Sequence, residues 1–238
     1  LINLGKYDEA IRAYDEAIRL DPESALPWNN KGLALYNLGK YDEAIRAYDE
    51  AIRLDPESAL PWNNKGLALY NLGKYDEAIR AYDEAIRLDP EYAAPWNGKG
   101  NALRNLGKYD EAIRAYDEAI RLDPEYASAW NNKGNALDDL GKYDEAIECY
   151  NRAAELNANI SVSLLGMGNL HYDEGRYLAA IKYYDAAIKA DPEDEYAWYS
   201  KANALRMLHR NSEAEAAYKK ARELGYSGIM TLMEMTSN

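Results

Sequence analysis

The chain has 238 residues, of which 47% are hydrophobic and 29% charged, proportions typical of a folded protein rather than of a disordered or membrane-spanning one. Its 28 basic and 41 acidic side chains give a net charge of −13, which repels nucleic-acid phosphates and anionic lipids, so neither is expected as a partner. One cysteine and two histidines are too few for a structural zinc site, and we expect no disulfide, metal or other cofactor. The scarcity of cysteine also favours the cytoplasm.

One segment is copied along the chain with a period of 34 residues. The stretch 28–61 recurs at 62–95 with 32 of its 34 residues unchanged. The sequence therefore predicts a partial first repeat at 1–24, which lacks its front half, and a tail at 229–238. Between them we expect six complete repeats, at 25–58, 59–92, 93–126, 127–160, 161–194 and 195–228.

Turn signals divide each repeat into two helices, called here the front helix and the rear helix. In the second complete repeat the front helix is predicted to begin near Ser58, which favours a helix N-terminus, and to end at Gly73. The rear helix is predicted to begin at Tyr75, before two acidic residues that suit the helix dipole, and to end at Asp89, before Pro90. Neither helix can bury its apolar stripe alone, so we expect the helical hairpins to stack on one another.

The residues at fixed places in each repeat are those of a known family. In the first complete repeat they are Trp28, Gly32, Gly39, Tyr41, Ala44, Tyr48, Ala51 and Pro56. This pattern resembles the tetratricopeptide repeat, or TPR, whose period is also 34 residues. The resemblance covers 1–228 and implies an all-α fold, with helix-turn-helix repeats stacked into a single right-handed superhelical solenoid. The later repeats depart from the pattern at Ala158, Leu164, Ala202, His209 and Asn211.

Helix geometry gives each front helix one face for packing and one free face. At about 100° per residue, Trp28, Gly32 and Leu35 point to the same side and form the packing face. The free face of the same helix carries Leu26, Asn29, Asn30, Leu33, Tyr36 and Asn37. By the resemblance, the free faces line the concave groove of a TPR superhelix.

Asparagine and tyrosine on the free faces predict a surface that binds an extended peptide. An asparagine amide matches the donor and the acceptor of a peptide bond, and tyrosine adds rigid contact area with a hydroxyl group. The candidate residues are Asn29, Asn30, Tyr36, Asn63, Asn64, Tyr70, Asn97, Asn101, Asn131, Asn132 and Asn135. The series resembles the asparagine ladder in the TPR arm of the O-linked N-acetylglucosamine transferases. The alternative interpretation is that these asparagines are solvated residues copied along with the repeat.

Three carboxylates add negative charge to the free faces of the later repeats. Asp138, Asp139 and Asp173 take places that hold tyrosine or asparagine in earlier repeats, and we expect them to favour a basic residue in the partner. General surface acidity of this acidic chain explains them equally well. The carboxylate clamp of chaperone-binding TPR domains is disfavoured, because the first three complete repeats have no Lys or Arg at the equivalent places. The regularly spaced Lys31 and its equivalents are expected to bury their stems at the edge of the packing face.

No arrangement of side chains predicts catalysis. His171 and His209 occupy different places in successive repeats, and Cys149 stands where other rear helices have alanine, so all three are interpreted as structural. We therefore expect a non-catalytic scaffold that binds a protein or peptide. Three alternatives stay open: a module that self-assembles head to tail through its N-terminal end and apolar tail, the targeting arm of a larger enzyme, and an artificially duplicated array.

Overall fold

The computed structural model describes residues 6–156 and 160–226, and the described part of the chain consists of helices joined by short turns. The rear helices are α1 (Tyr7–Leu20), α3 (Tyr41–Leu54), α5 (Tyr75–Leu88), α7 (Tyr109–Leu122), α9 (Tyr143–Leu156), α11 (Tyr177–Ala190) and α13 (Asn211–Glu223). The front helices are α2 (Ala25–Asn37), α4 (Ala59–Asn71), α6 (Ala93–Asn105), α8 (Ala127–Asp139), α10 (Ile160–Asp173) and α12 (Glu195–Met207). The predicted all-α fold of helix-turn-helix repeats is confirmed. Ala158 and the predicted tail at 229–238 lie outside the described residues.

Each hairpin turns at the glycine that the sequence singles out. Gly39 has a φ of +74°, a conformation that glycine adopts without steric cost. The backbone N–H of Gly39 donates to the carbonyl of Tyr36 at 2.9 Å, and that of Lys40 donates to the carbonyl of Leu35 at 3.0 Å. These two bonds cap the end of α2 and aim the chain into α3. In the last repeat His209 takes the place of the glycine with a φ of +58°.

The starts of the front helices match the prediction in position but not in chemistry. Ser58 lies at the N-cap of α4 in an extended conformation, yet its hydroxyl makes no capping hydrogen bond. Asp194 caps α12 with its carboxylate, which accepts from the backbone N–H groups of Tyr196 and Ala197. The early front helices therefore depend more on packing than on caps for their start.

Packing within a hairpin brings a tyrosine against a glycine. Tyr48 of α3 is 1% exposed and lies over Gly32 of α2, where an added Cβ would come within 2.5 Å of the tyrosine ring. The same core cluster includes Leu35 and, from the following repeat, Ala68. In this cluster the rear helix α3 thus packs on its own front helix α2 and on the next front helix α4, as the repeat pattern predicts.

Contacts divide the chain into two compact units, residues 1–124 and 125–238. Unit 1 contains α1 to α7 and unit 2 contains α8 to α13. A single solenoid over 1–228 stays a prediction.

Candidate functional site

Several apolar side chains on the free faces of unit 1 are exposed to solvent. Leu26 of α2 is 63% exposed, and Leu60 and Leu67 of α4 are also exposed. Tyr36 and Tyr70 on the same faces are partly exposed. We call these five residues the leucine–tyrosine strip. Exposed leucines that recur at equivalent places on neighbouring helices form an apolar surface that a partner can cover.

The first asparagine after each tryptophan is buried in unit 1, contrary to expectation. Asn29 and Asn63 are each 5% exposed, and Asn97 is 8% exposed. The side-chain N–H of Asn64 donates to Oδ1 of Asn29 at 3.0 Å, which ties α4 to α2. The prediction placed these three residues on the free face, and their burial contradicts it; for Asn29 the cause is α4, which approaches closely enough to bond to it.

Asparagines at the ends of the front helices hold the two tyrosines of the strip. Asn71 donates to the hydroxyl oxygen of Tyr36 at 2.9 Å and to the carbonyl of Leu67 at 2.8 Å. Asn105 makes the equivalent bond to the hydroxyl oxygen of Tyr70, also at 2.9 Å. Both tyrosine hydroxyls are therefore fixed by the following repeat.

Another set of asparagines accepts hydrogen bonds from buried tyrosines. Tyr116 donates to Oδ1 of Asn101 at 2.8 Å, and Tyr150 donates to Oδ1 of Asn135 at 2.7 Å. The same bond joins Tyr184 to Asn169 and Tyr218 to Asn203. A buried hydroxyl without a partner is costly, so these asparagines have a structural role. The sequence carries a signal for it, because each of these asparagines precedes its tyrosine by 15 residues.

We expect Asn203→Leu to destabilise the chain by about 1–2 kcal/mol, because it leaves the Tyr218 hydroxyl without its acceptor. Leucine fits this place, since Leu33 and Leu67 occupy it in earlier repeats. In a Tyr218→Phe background the same substitution should cost little, since no hydroxyl remains to be satisfied. Urea unfolding of the four proteins followed by circular dichroism measures the difference, and an equal loss in both backgrounds would contradict the structural role.

The three carboxylates predicted to meet a basic partner do not share one environment. Asp139 and Asp173 are exposed, but Asp138 is 7% exposed and lies inside unit 2. Its Oδ1 accepts from the hydroxyl of Tyr183 and lies 2.7 Å from Nε2 of His171, which is fully buried. The prediction for Asp138 is therefore wrong, because two buried polar groups of α10 and α11 already occupy its carboxylate.

Aromatic packing completes the cluster around Asp138. The ring of His171 stacks on Tyr183 with 4.9 Å between centroids and meets Tyr143 edge-on at the same distance. Burial, together with the hydrogen bond to Asp138, raises the pKa of Tyr183 well above its ordinary value, so this hydroxyl stays protonated. The cluster holds α8, α10 and α11 together, in agreement with the structural interpretation of His171.

The remaining asparagines of the candidate site lie on α8 in unit 2. Asn131 and Asn132 are partly exposed, as is Asn30 on α2 in unit 1. Their amides are thus nearer to solvent than those of Asn29 and Asn63.

Regularly spaced lysines link one repeat to the next. The ammonium of Lys31 lies 2.6 Å from a carboxylate oxygen of Asp15 and 5.4 Å from the centre of the Trp28 ring. The ion pair recurs at Lys65–Asp49, Lys99–Asp83 and Lys201–Asp185. These lysines bury most of their length, as predicted, and their ammonium groups pair with aspartates of the preceding rear helix, which was not predicted.

Other kinds of site find little support in residues 6–156 and 160–226. This part of the chain contains no group of three or more metal-ligating side chains placed around a common point. None of its helices combines the length and the apolar character needed to cross a bilayer. Cys149 is buried as a free thiol.

Comparisons with solved structures place the chain among helical repeat proteins. A chain of the APC/C hetero-tetramer Cut9–Hcn1 matches 95% of this chain with a TM-score of 0.65 and 20% identity, and this chain spans 45% of that one. YrrB, described as a TPR protein with an unusual peptide-binding site, matches 79% of this chain over 97% of its own, with a TM-score of 0.58 and 23% identity. The pilF protein of Pseudomonas aeruginosa matches 92% of this chain over 93% of its own, with a TM-score of 0.58 and 24% identity. At these identities the matches show the fold alone.

A search of curated proteins found no match. The family model of the tetratricopeptide repeat matches residues 1–59, 29–93, 63–111, 97–159 and 165–227. Together with the helical hairpins, the glycine turns and the rear-helix tyrosines packed on front-helix glycines, these matches show that the chain belongs to the tetratricopeptide-repeat family.

Proposed function

We propose that the chain is a non-catalytic scaffold for protein–protein interaction, and that it binds an extended peptide segment on the free faces of α2, α4 and α6. The TPR fold is typically an interaction scaffold, and YrrB shows that a protein of this fold has a peptide-binding site. The observation that carries the proposal is the leucine–tyrosine strip. Its leucines expose apolar surface to water in the free chain. Covering this surface with a partner is favourable, because it removes the apolar area from water.

The tyrosines of the strip are prepared for binding. Because Asn71 and Asn105 hold the hydroxyls of Tyr36 and Tyr70, each ring loses little freedom when a peptide packs against it. The aromatic pair of Tyr36 with Tyr41, 5.4 Å apart, further restrains the first ring. Rigid, partly exposed tyrosines contribute contact area at low entropic cost.

The accessible asparagines have a smaller role in this proposal. Asn30 and Asn64 are partly exposed, so their amides can reach a peptide backbone. Asn64 already bonds to Asn29, so a peptide has to share or replace that bond. A replaced hydrogen bond adds less net free energy than newly covered apolar surface. In unit 2, Asn132 and the exposed Asp139 and Asp173 stay candidate contacts for a partner, the two carboxylates with a basic residue.

The proposal is tested with a peptide selected from a display library of unstructured peptides against the full chain. We expect Leu26→Ala/Leu60→Ala/Leu67→Ala to weaken binding by roughly tenfold or more, through lost apolar contact. The variant Asn30→Ala/Asn64→Ala should weaken it by about threefold. Fluorescence anisotropy measures each affinity.

The matched control is Arg46→Ala/Arg80→Ala/Arg114→Ala, at three exposed places on rear helices. Its affinity should stay within about twofold of the unchanged chain. A loss in the control equal to the loss in the leucine variant, or full affinity in the leucine variant, would overturn the free face as the binding surface. Circular dichroism of each variant separates lost binding from lost folding.

A further inference from the structure

The rear helix α11 differs from the earlier rear helices in its first turn. In α3, α5, α7 and α9 the starting tyrosine is followed by an aspartate and a glutamate, as at Asp144 and Glu145. In α11 the tyrosine is followed by Leu178 and Ala179. Two carboxylates are thus replaced by apolar side chains, and Leu178 is 64% exposed. Packing within the chain does not explain a leucine so exposed.

A surface cavity of about 570 Å³ lies beside this turn, within unit 2. It is formed by the starts of α9 and α11 and by the turn between α12 and α13. Its lining residues are Tyr143, Gly175, Arg176, Tyr177, Leu178, Ala179, Ile181, Lys182, Leu208 and Arg210. Aromatic and aliphatic side chains form its walls, so it can accept a bulky apolar side chain.

The charged groups that line the cavity are all basic. Arg176, Lys182 and Arg210 contribute to the lining, and no carboxylate does. The Arg176 guanidinium donates to the hydroxyl of Tyr143 at 2.7 Å and lies 5.7 Å from the centre of that ring, which holds it at the rim. The charges on the lining itself are therefore positive, although the chain as a whole has a net charge of −13.

Each of the three cations has one carboxylate partner outside the lining. Arg176 pairs with Glu174, Lys182 with Asp144, and Arg210 with Glu213. All six side chains are 41% exposed or more, and ion pairs in such surroundings are weak because water and salt screen them. The cations can therefore take up further carboxylates of a ligand.

We propose that this cavity binds an acidic peptide segment of a partner protein. A bulky apolar side chain of the segment enters the cavity against Leu178 and Ile181, and flanking carboxylates pair with Arg176, Lys182 and Arg210. The apolar walls select the central residue, and the rim selects the charge on either side. The site is separate from the leucine–tyrosine strip, which lies in unit 1 and carries no basic residue.

The variant Leu178→Asp/Ala179→Glu tests the proposal. It gives α11 the pair of residues that starts α3, α5, α7 and α9. Because Ala179 is 6% exposed, circular dichroism of the variant checks that α11 still folds. The probe is a fluorescein-labelled peptide, Gly-Glu-Asp-Leu-Trp-Asp-Glu-Gly, and its anisotropy is measured with the full chain at low and high salt. We expect binding that weakens with salt and that falls by roughly tenfold or more in the variant, which adds two carboxylates and removes apolar contact.

Two controls separate this site from the free face. A peptide in which Gln and Asn replace Glu and Asp should bind at least about tenfold more weakly, since it has no charge for the rim. The variant Asn30→Ala/Asn64→Ala, which changes the free face of unit 1 only, should bind the acidic peptide as the unchanged chain does. Equal affinity of the neutral peptide, full affinity in the Leu178→Asp/Ala179→Glu variant, or a loss in the asparagine variant would each overturn the proposal.

Sedimentation without peptide tests a different occupant. The unchanged chain and the Leu178→Asp/Ala179→Glu variant should show the same oligomeric state at all concentrations. If the unchanged chain forms dimers and the variant does not, the cavity accepts a second copy of the chain, and the proposal of a partner peptide is wrong.

Discussion

Gly168→Ala is expected to lower the melting midpoint of the chain, whereas Gly166→Ala, two residues away in α10, is expected to raise it. A Cβ on Gly168 would lie 2.4 Å from Cε1 of Tyr184, which is 1% exposed and has no space to move. Such overpacking typically costs about 1–3 kcal/mol. A Cβ on Gly166 would meet nothing within 4 Å, and alanine favours a helix by about 1 kcal/mol over glycine.

Thermal unfolding followed by circular dichroism compares the two glycine variants. For a chain of this size we expect a decrease of roughly 2–10 °C for Gly168→Ala and an increase of a few degrees for Gly166→Ala. Any glycine-to-alanine change reduces the conformational entropy of the unfolded chain. Comparing the two variants cancels this shared effect. Shifts of the same sign would show that the contact between Gly168 and Tyr184 is not tight.

Among single changes at the front-helix positions predicted to be free, Asp138→Leu is expected to have the largest effect. It should lower the free energy of unfolding by about 3 kcal/mol or more. The substitution removes the acceptor of the buried Tyr183 hydroxyl and the hydrogen-bond partner of the buried Nε2 of His171. Each buried polar group without a partner costs roughly 1–3 kcal/mol. Asp138→Asn keeps one carbonyl oxygen and should cost less than Asp138→Leu.

The free energy of unfolding in urea, followed by circular dichroism, measures the effect. The control is Asp173→Ala, because Asp173 is exposed at the end of α10 and its removal should change stability by roughly 0.5 kcal/mol or less. Similar losses at the two positions would mean that the buried cluster contributes no more than an ordinary surface charge.

The fold was predictable from the sequence because its signals are local and repeated. Gly39 and Gly73 marked the turns, and the spacing of Trp28, Gly32 and Tyr48 marked the packing faces. Ser58 marked the start of α4 correctly, although its hydroxyl makes no capping hydrogen bond.

The candidate site was only partly predictable, because a helical wheel describes one helix at a time. Asn29 points to the free side of α2, but α4 approaches closely enough to cover it and to bond to it. On the wheel of α8 alone Asp138 also points outward, but in the structure Tyr183 and His171 enclose it. Burial of this kind depends on residues 33 to 45 positions away, and no periodicity within a single repeat reveals it.

The lysine–aspartate pairs described above lie between repeats rather than within them. They strengthen the coupling between neighbours, which sets how far unfolding spreads along a repeat protein once it starts. Between α9 and α10 the places of the aspartate, the tryptophan and the lysine are taken by Asn151, Leu164 and Met167. We therefore expect α9 and α10 to be coupled less strongly than the neighbours that have the lysine–aspartate pair.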